Sequence, residues 1–146
     1  MDKLVLLANL VVGAYLTGLI WTIQVVHYPL FEMADRANFS AFEAAHSLRI
    51  SGIVLVPMLL ELVLSGLFLG SSLKEVPFWC PWVCAVLVGV VWLSTFFLQV
   101  PQHSILSAGF NAQAHQILVS SNWIRTIAWS VKTCLLAYLV YRQIHF

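Results

Sequence analysis

Four apolar runs, each long enough to cross a bilayer, leave this chain few folds to choose from. They cover about Leu4–Val26, Ile50–Gly70, Phe78–Leu98 and Trp123–Tyr141. A hydrocarbon core about 30 Å thick needs about 20 helical residues at about 1.5 Å each. Lipid offers no partner to a peptide group, so isolated strands are excluded and the runs must be helices. Only 9% of the 146 residues are charged, against about 25% in an ordinary soluble domain. The expected fold is all-α: an integral membrane four-helix bundle built from two helical hairpins. Residues 1–146 read as a single transmembrane domain with spans at about 4–26, 50–70, 78–98 and 123–141.

A net charge of +1 and the lack of any basic run argue against nucleic acid as a partner. The bilayer itself is the first partner, and a homo-oligomer is compatible with the same composition. The first apolar run is longer than the core of about 7–15 residues in a secretory signal, so it reads as a retained span. Cys80, Cys84 and Cys134 lack the C-x-x-C spacing of a redox dithiol and read as small apolar residues at helix contacts.

The short polar turn Ser71–Pro77 makes the second and third helices antiparallel neighbours. The longer connections, His27–Arg49 and Val100–Ser121, share the opposite side. Within the first, Phe39, Phe42 and His46 fall at helical spacing with Glu43 beside them. That stretch is either the protruding start of the second helix or a helix lying in the interface. Pro101, Gly109 and Asn111 punctuate the second connection. Lys3, Lys74 and Arg142 gather at one end. Arg36 lies at the other, where Arg49 and Arg125 are discounted as inside the fold. The positive-inside rule then places both termini in the cytoplasm of a bacterial cytoplasmic membrane. The halves also echo each other: Gln24 and His27 close the first helix, Gln99 and His103 the third.

Charges inside a span are costly, and they point to function or to a partner. Glu61 and Lys132 lie at matching depths on helices running the same way, so the expected arrangement is a buried ion pair. Asn122, Arg125, Trp129 and Lys132 share one face of the last helix at intervals of 3, 4 and 3 residues. Thr17, Trp21 and Gln24 do so on the first helix, Trp92, Thr95 and Gln99 on the third, and Pro57, Glu61 and Ser65 on the second. Packing alone needs only Gly, Ala and Ser. Large polar groups on every helix predict a lined cavity, with Gln24, Gln99 and Trp129 as its cofactor-binding residues.

His27, His46, His103 and His115 fall at one end of the bundle, while His145 is in the tail. Neutral imidazole is the commonest metal ligand and also holds haem. With Glu43, four residues of helix-end origin form a candidate metal set: His27, His46, His103 and His115. Copper, zinc or iron suits it, as does haem held by two histidines. The competing reading is hydrogen bonding at the membrane interface. A second E-x-x-H is missing, which disfavours a di-iron centre. His27, Arg49, Arg125 and Asn122 are the candidate catalytic residues. An imidazole supplies a base, and a guanidinium suits an anionic or carbonyl-bearing ligand.

The run Asn122-Trp123-Ile124-Arg125-Thr126, the segment His27-Tyr28-Pro29 and Pro57 resemble the small four-helix membrane proteins grouped with the anthrone oxygenases. The likeness spans nearly the whole chain. It rests on Asn122, Arg125, Pro29 and Pro57; the histidines are not part of it. The resemblance implies oxygenation of a polycyclic phenolic substrate without a conventional cofactor. Three functions stand in competition. The first is a membrane oxidoreductase acting on a lipophilic aromatic or quinone-like substrate. The second is a metal- or haem-binding or transport protein. The third is a non-catalytic subunit of a membrane complex.

Overall fold

The computed structural model describes residues 2–71, 73 and 76–145. Lys74 and the side chain of His145 lie outside them. Among the described residues the chain is helical, with no strand. Helix α1 spans Asp2–Thr22 and continues into a π-helical turn, Ile23–His27. A 3-10 turn, Pro29–Met33, leads to α2, Phe39–Leu69. Helix α3, Trp79–Ser94, passes through a second π-helical turn, Thr95–Gln99, into α4, Val100–Ser107. Helix α5, Ala112–His145, closes the chain. Helices α1 and α3 each pack against both α2 and α5, so α2 and α5 stand at opposite corners.

Three rods, Asp2–Met33, Phe39–Leu69 and Trp79–Ser107, are long and apolar enough to cross a membrane. Helix α5, at 34 residues, is as long. Its inward face carries Asn122, Arg125 and Lys132, while Ile124, Ile127, Val131 and Tyr138 are exposed outward. Large apolar side chains such as Leu4, Val56, Leu60, Trp82 and Phe97 are exposed on the other rods. Such a surface is unfavourable in water and natural against lipid tails, as expected of an integral membrane protein.

The helices outrun the apolar segments that mark them. Helix α2 begins at Phe39, eleven residues before Ile50, and so absorbs Asn38–Ser47 apart from its first residue. The third rod reaches Ser107, and α5 starts at Ala112. The two long connections are therefore largely helix that projects beyond the lipid-facing zone. Hydropathy records only where lipid touches a helix; neighbouring helices support the rest.

Pro101 does not stop its rod. In a straight α-helix its ring would meet the carbonyl of Phe97. The wider turn over Thr95–Gln99 lies directly before it and opens that space. The same device precedes Pro29, where the Tyr28 N–H closes the turn on the Ile23 carbonyl at 2.9 Å. The chain reverses between α4 and α5 at Gly109, whose φ of 139° suits glycine alone. The Asn111 Oδ1 then accepts the Ala114 N–H at 2.9 Å and caps α5.

Two apolar clusters fill the interior. One, around Leu6, Phe68, Cys80, Cys84, Leu136 and Leu139, lies toward the termini. The other, around Leu16, Ile20, Phe31, Phe39, Leu106, Leu118 and Trp129, lies toward the long connections. Cys80 and Cys84 are buried and unoxidised, and Cys134 is an exposed free thiol.

Candidate functional site

Between the two clusters lies a polar layer. Lys132 Nζ sits 3.0 Å from Glu61 Oε1, with both side chains essentially buried. Trp129 Nε1 donates to Glu61 Oε2 at 2.9 Å, and Lys132 also donates to Asn9 Oδ1 at 3.3 Å. Asn9 in turn donates to the Leu64 carbonyl at 2.8 Å and accepts from Ser65 at 3.4 Å. The layer thus ties α1, α2 and α5 together with every formal charge matched. Asn9 was absent from the polar stripes assigned from sequence. Its signal was the four-residue spacing of Asn9, Gly13 and Thr17. Gly13 lets α1 approach α5, because a Cβ there would lie 3.1 Å from Thr133 Oγ1.

One helical turn further along, a cavity of about 230 Å³ opens among all the helices. Its walls are apolar: Leu16, Leu19, Ile20, Ile23, Val54, Met58 and Trp129. At its mouth stand Ser51 and Leu55 of α2, with Phe96 and Val100 opposite, and all four are exposed. The mouth therefore faces sideways, between α2 and the α3–α4 rod, where lipid lies. The polar groups that reach the cavity are Tyr28, Thr95, Gln99, His103 and Arg125.

Arg125 is 5% exposed, yet its partners among the described residues are all neutral. Its Nε donates to Asn122 Oδ1 at 3.0 Å, and its Nη2 also donates to that oxygen. Longer contacts reach Thr95 Oγ1 at 3.4 Å and the Tyr28 hydroxyl at 3.5 Å. Asn122 is itself held by Gln24, whose Oε1 accepts from Asn122 Nδ2 at 2.8 Å. Gln24 and Asn122 thus orient the guanidinium from behind and lie outside the cavity lining. Gln99 lines the cavity while bonding Ser94 and Ser121 at 3.2 Å each. A buried cation without an anionic neighbour is costly unless a ligand brings the negative charge.

Beyond Tyr28 lies a compact group of imidazoles. His103 Nε2 is 3.2 Å from the Tyr28 hydroxyl, and His103 Nδ1 is 2.6 Å from Glu43 Oε1. His46 stacks on His103 with centroids 5.2 Å apart, and its Nδ1 is 2.8 Å from His27 Nε2. The rings thus pair with each other rather than face across a slot, so a haem between two of them has no room. Glu43, His46 and His103 hold their donor atoms within 4.8 Å of one another. Helix α2 supplies Glu43 and His46 one turn apart on its inner face, and α4 supplies His103 because the rod continues past Pro101.

Three sequence candidates fall elsewhere. His115 stays out of the imidazole group: its Nε2 donates to the Tyr28 carbonyl at 2.8 Å, and its Nδ1 lies 3.4 Å from Glu32. It fastens α5 to the loop that carries Tyr28. Arg49 is exposed and lines no part of the cavity. His46 and Ile50, four residues apart, hold the inner face, and Arg49, one residue before Ile50, is turned about 100° from it. Trp21 is 44% exposed and packs edge-on against Trp123 outside the bundle. Tyr28, central to the geometry, enters the sequence reading only within the segment His27-Tyr28-Pro29 and with no role of its own, because no charge or periodic pattern distinguishes it.

The chain matches no family model, no curated protein and no solved structure. Its functional reading therefore rests on the site alone.

Proposed function

We propose that this integral membrane protein is an oxidoreductase acting on a lipophilic aromatic, phenol- or quinone-like molecule drawn from the bilayer. The observation that carries the reading is Arg125. It is a buried guanidinium facing an apolar, laterally open cavity, and no carboxylate among the described residues neutralises it. A flat apolar ring suits the Leu, Ile and Trp walls, and a phenolate or carbonyl oxygen suits Arg125 and the Tyr28 hydroxyl. His103 lies within hydrogen-bonding reach of that hydroxyl and is oriented by Glu43. An imidazole so placed accepts or returns the proton that accompanies oxidation or reduction of the ring. The electrons pass to or from an external partner such as dioxygen. A polycyclic phenol, the substrate that the sequence resemblance implies, belongs to the same chemical class.

The reading is tested in lipid nanodiscs by tryptophan fluorescence, since Trp92 and Trp129 line the cavity. A short-chain quinone should quench it saturably. Met58→Trp, which fills the cavity, and Arg125→Gln, which removes the cation, should each weaken that quenching at least tenfold. Linear, non-saturating quenching that is equal in all three proteins would show mere partitioning into lipid and refute the proposal.

A further inference from the structure

Two buried polar atoms in the imidazole group have nothing to bond. Glu43 Oε2 and His46 Nε2 find no hydrogen-bond partner among the described residues. Glu43 is 0% and His46 7% exposed, so water does not routinely satisfy them from outside. A buried, unsatisfied donor or acceptor costs about 1–3 kcal/mol, and a charged group costs more. Two such atoms within one group of side chains call for a shared ligand.

The remaining atoms of the group are arranged as a ligand set requires. In metal sites the second ring nitrogen of a ligating histidine engages an outer partner, which fixes the tautomer and the ring plane. Here His46 Nδ1 is occupied by His27 at 2.8 Å, and His103 Nε2 by the Tyr28 hydroxyl at 3.2 Å. That leaves His46 Nε2 unpartnered and His103 Nδ1 paired only with the Glu43 carboxylate at 2.6 Å, a pair that an ion seated among the three side chains would divide. Ser47 Oγ donates to Glu43 Oε1 at 3.0 Å and steadies the carboxylate. We infer that Glu43, His46 and His103 form a mononuclear site for a divalent first-row transition ion.

Two imidazoles and one carboxylate, with coordination positions left over, make a ligand set used by both iron(II) and zinc. No thiol contributes, which disfavours soft cuprous copper. His27 and Tyr28 act as the outer shell and His115 takes no part. This narrows the five-residue set expected from the sequence to three ligands. A groove of about 510 Å³ is lined by His27, Met33, Asp35 and Phe42, among others, and touches the imidazole group at His27.

The ion's position beside His103 deepens the oxidoreductase reading and rests on that reading only for the role of the ion, not for its binding. Tag-free full-length protein in nanodiscs is stripped with chelator and titrated anaerobically with iron(II), and separately with zinc(II). About one equivalent of either ion should bind. Glu43→Gln and His46→Gln should each weaken binding more than tenfold, while Arg49→Gln binds as wild type. Helical circular dichroism checks that the variants remain folded. Because a variant can misfold, X-ray absorption of the loaded wild-type protein gives an independent answer, with imidazole scattering from two rings and no sulfur. Binding of less than a tenth of an equivalent, equal binding in the variants, or sulfur ligation each overturns the site. Quinone quenching of the stripped protein is read on the same sample. A chain that quenches but binds no ion refutes the metal inference alone; one that binds an ion but does not quench refutes the substrate reading alone.

Discussion

Lys132→Met tests the physics of the polar layer. The side chain is replaced by one of similar length without charge, leaving Glu61 with the Trp129 N–H as its remaining donor. At the observed 3.0 Å separation, and with an effective dielectric of about 20, the lost Coulomb attraction is about 5 kcal/mol. Measured losses on removing one partner of a buried pair run at about 3–5 kcal/mol, because the survivor stays buried and uncompensated. Removing both charges should cost far less. In Glu61→Gln/Lys132→Met the Gln oxygen still accepts from Trp129, and Asn9 Oδ1 keeps its bond from Ser65. We expect about 3–5 kcal/mol of destabilisation for Lys132→Met and about 1 kcal/mol for the double variant, hence a coupling of at least about 2 kcal/mol. The assay is reversible unfolding in mixed micelles, followed by helical circular dichroism for all four members of the cycle. A single variant costing under about 1 kcal/mol, or strictly additive losses, refutes the idea that the pair is a desolvated unit.

Two further outcomes follow from the packing. Asn122→Ala removes the acceptor of two Arg125 bonds and the link to Gln24, and hydrogen bonds to charged groups are worth about 1.5–3 kcal/mol each. It should lower stability by about 2–4 kcal/mol and also abolish saturable quinone quenching; unchanged stability in micellar unfolding would contradict the clamping role. Gly13→Val places a branched side chain where even a Cβ lies 3.1 Å from Thr133 Oγ1. The overpacking should cost about 1–3 kcal/mol, and a thermal midpoint equal to wild type would show that α1 and α5 are not pressed together there.

Much of the architecture was legible because lipid imposes a simple rule. Four long apolar runs and the lack of any water-soluble surface lead directly to a helical bundle. The proximity of Glu61 and Lys132 followed from the same logic, since equal distance from the helix ends sets equal depth. The polar stripes on α3 and α5 indicated an interior, because lipid tolerates such groups only when they turn inward. Helix ends were less legible. The segments 39–49 and 112–122 carry no transmembrane hydropathy, yet both are helical because they pack on neighbours in the projecting end of the bundle.

What the sequence by itself determined, then, is the solvent and the periodicity: which segments lie in lipid, that they are helices, and which faces must turn inward. Tertiary structure alone decided which inward groups meet. His27, His46, His103 and His115 look equivalent along the chain. A rotation of about 100° per residue and the two wide turns before Pro29 and Pro101 bring the first three together and send His115 to a backbone carbonyl. Arg49 and Arg125 are alike in type, yet one is exposed and the other is buried without a counter-ion. The difference is rotational phase: the polar spacing around Arg125 marked its face as inward, whereas Arg49 has no such stripe and only the packed helix shows it turned outward.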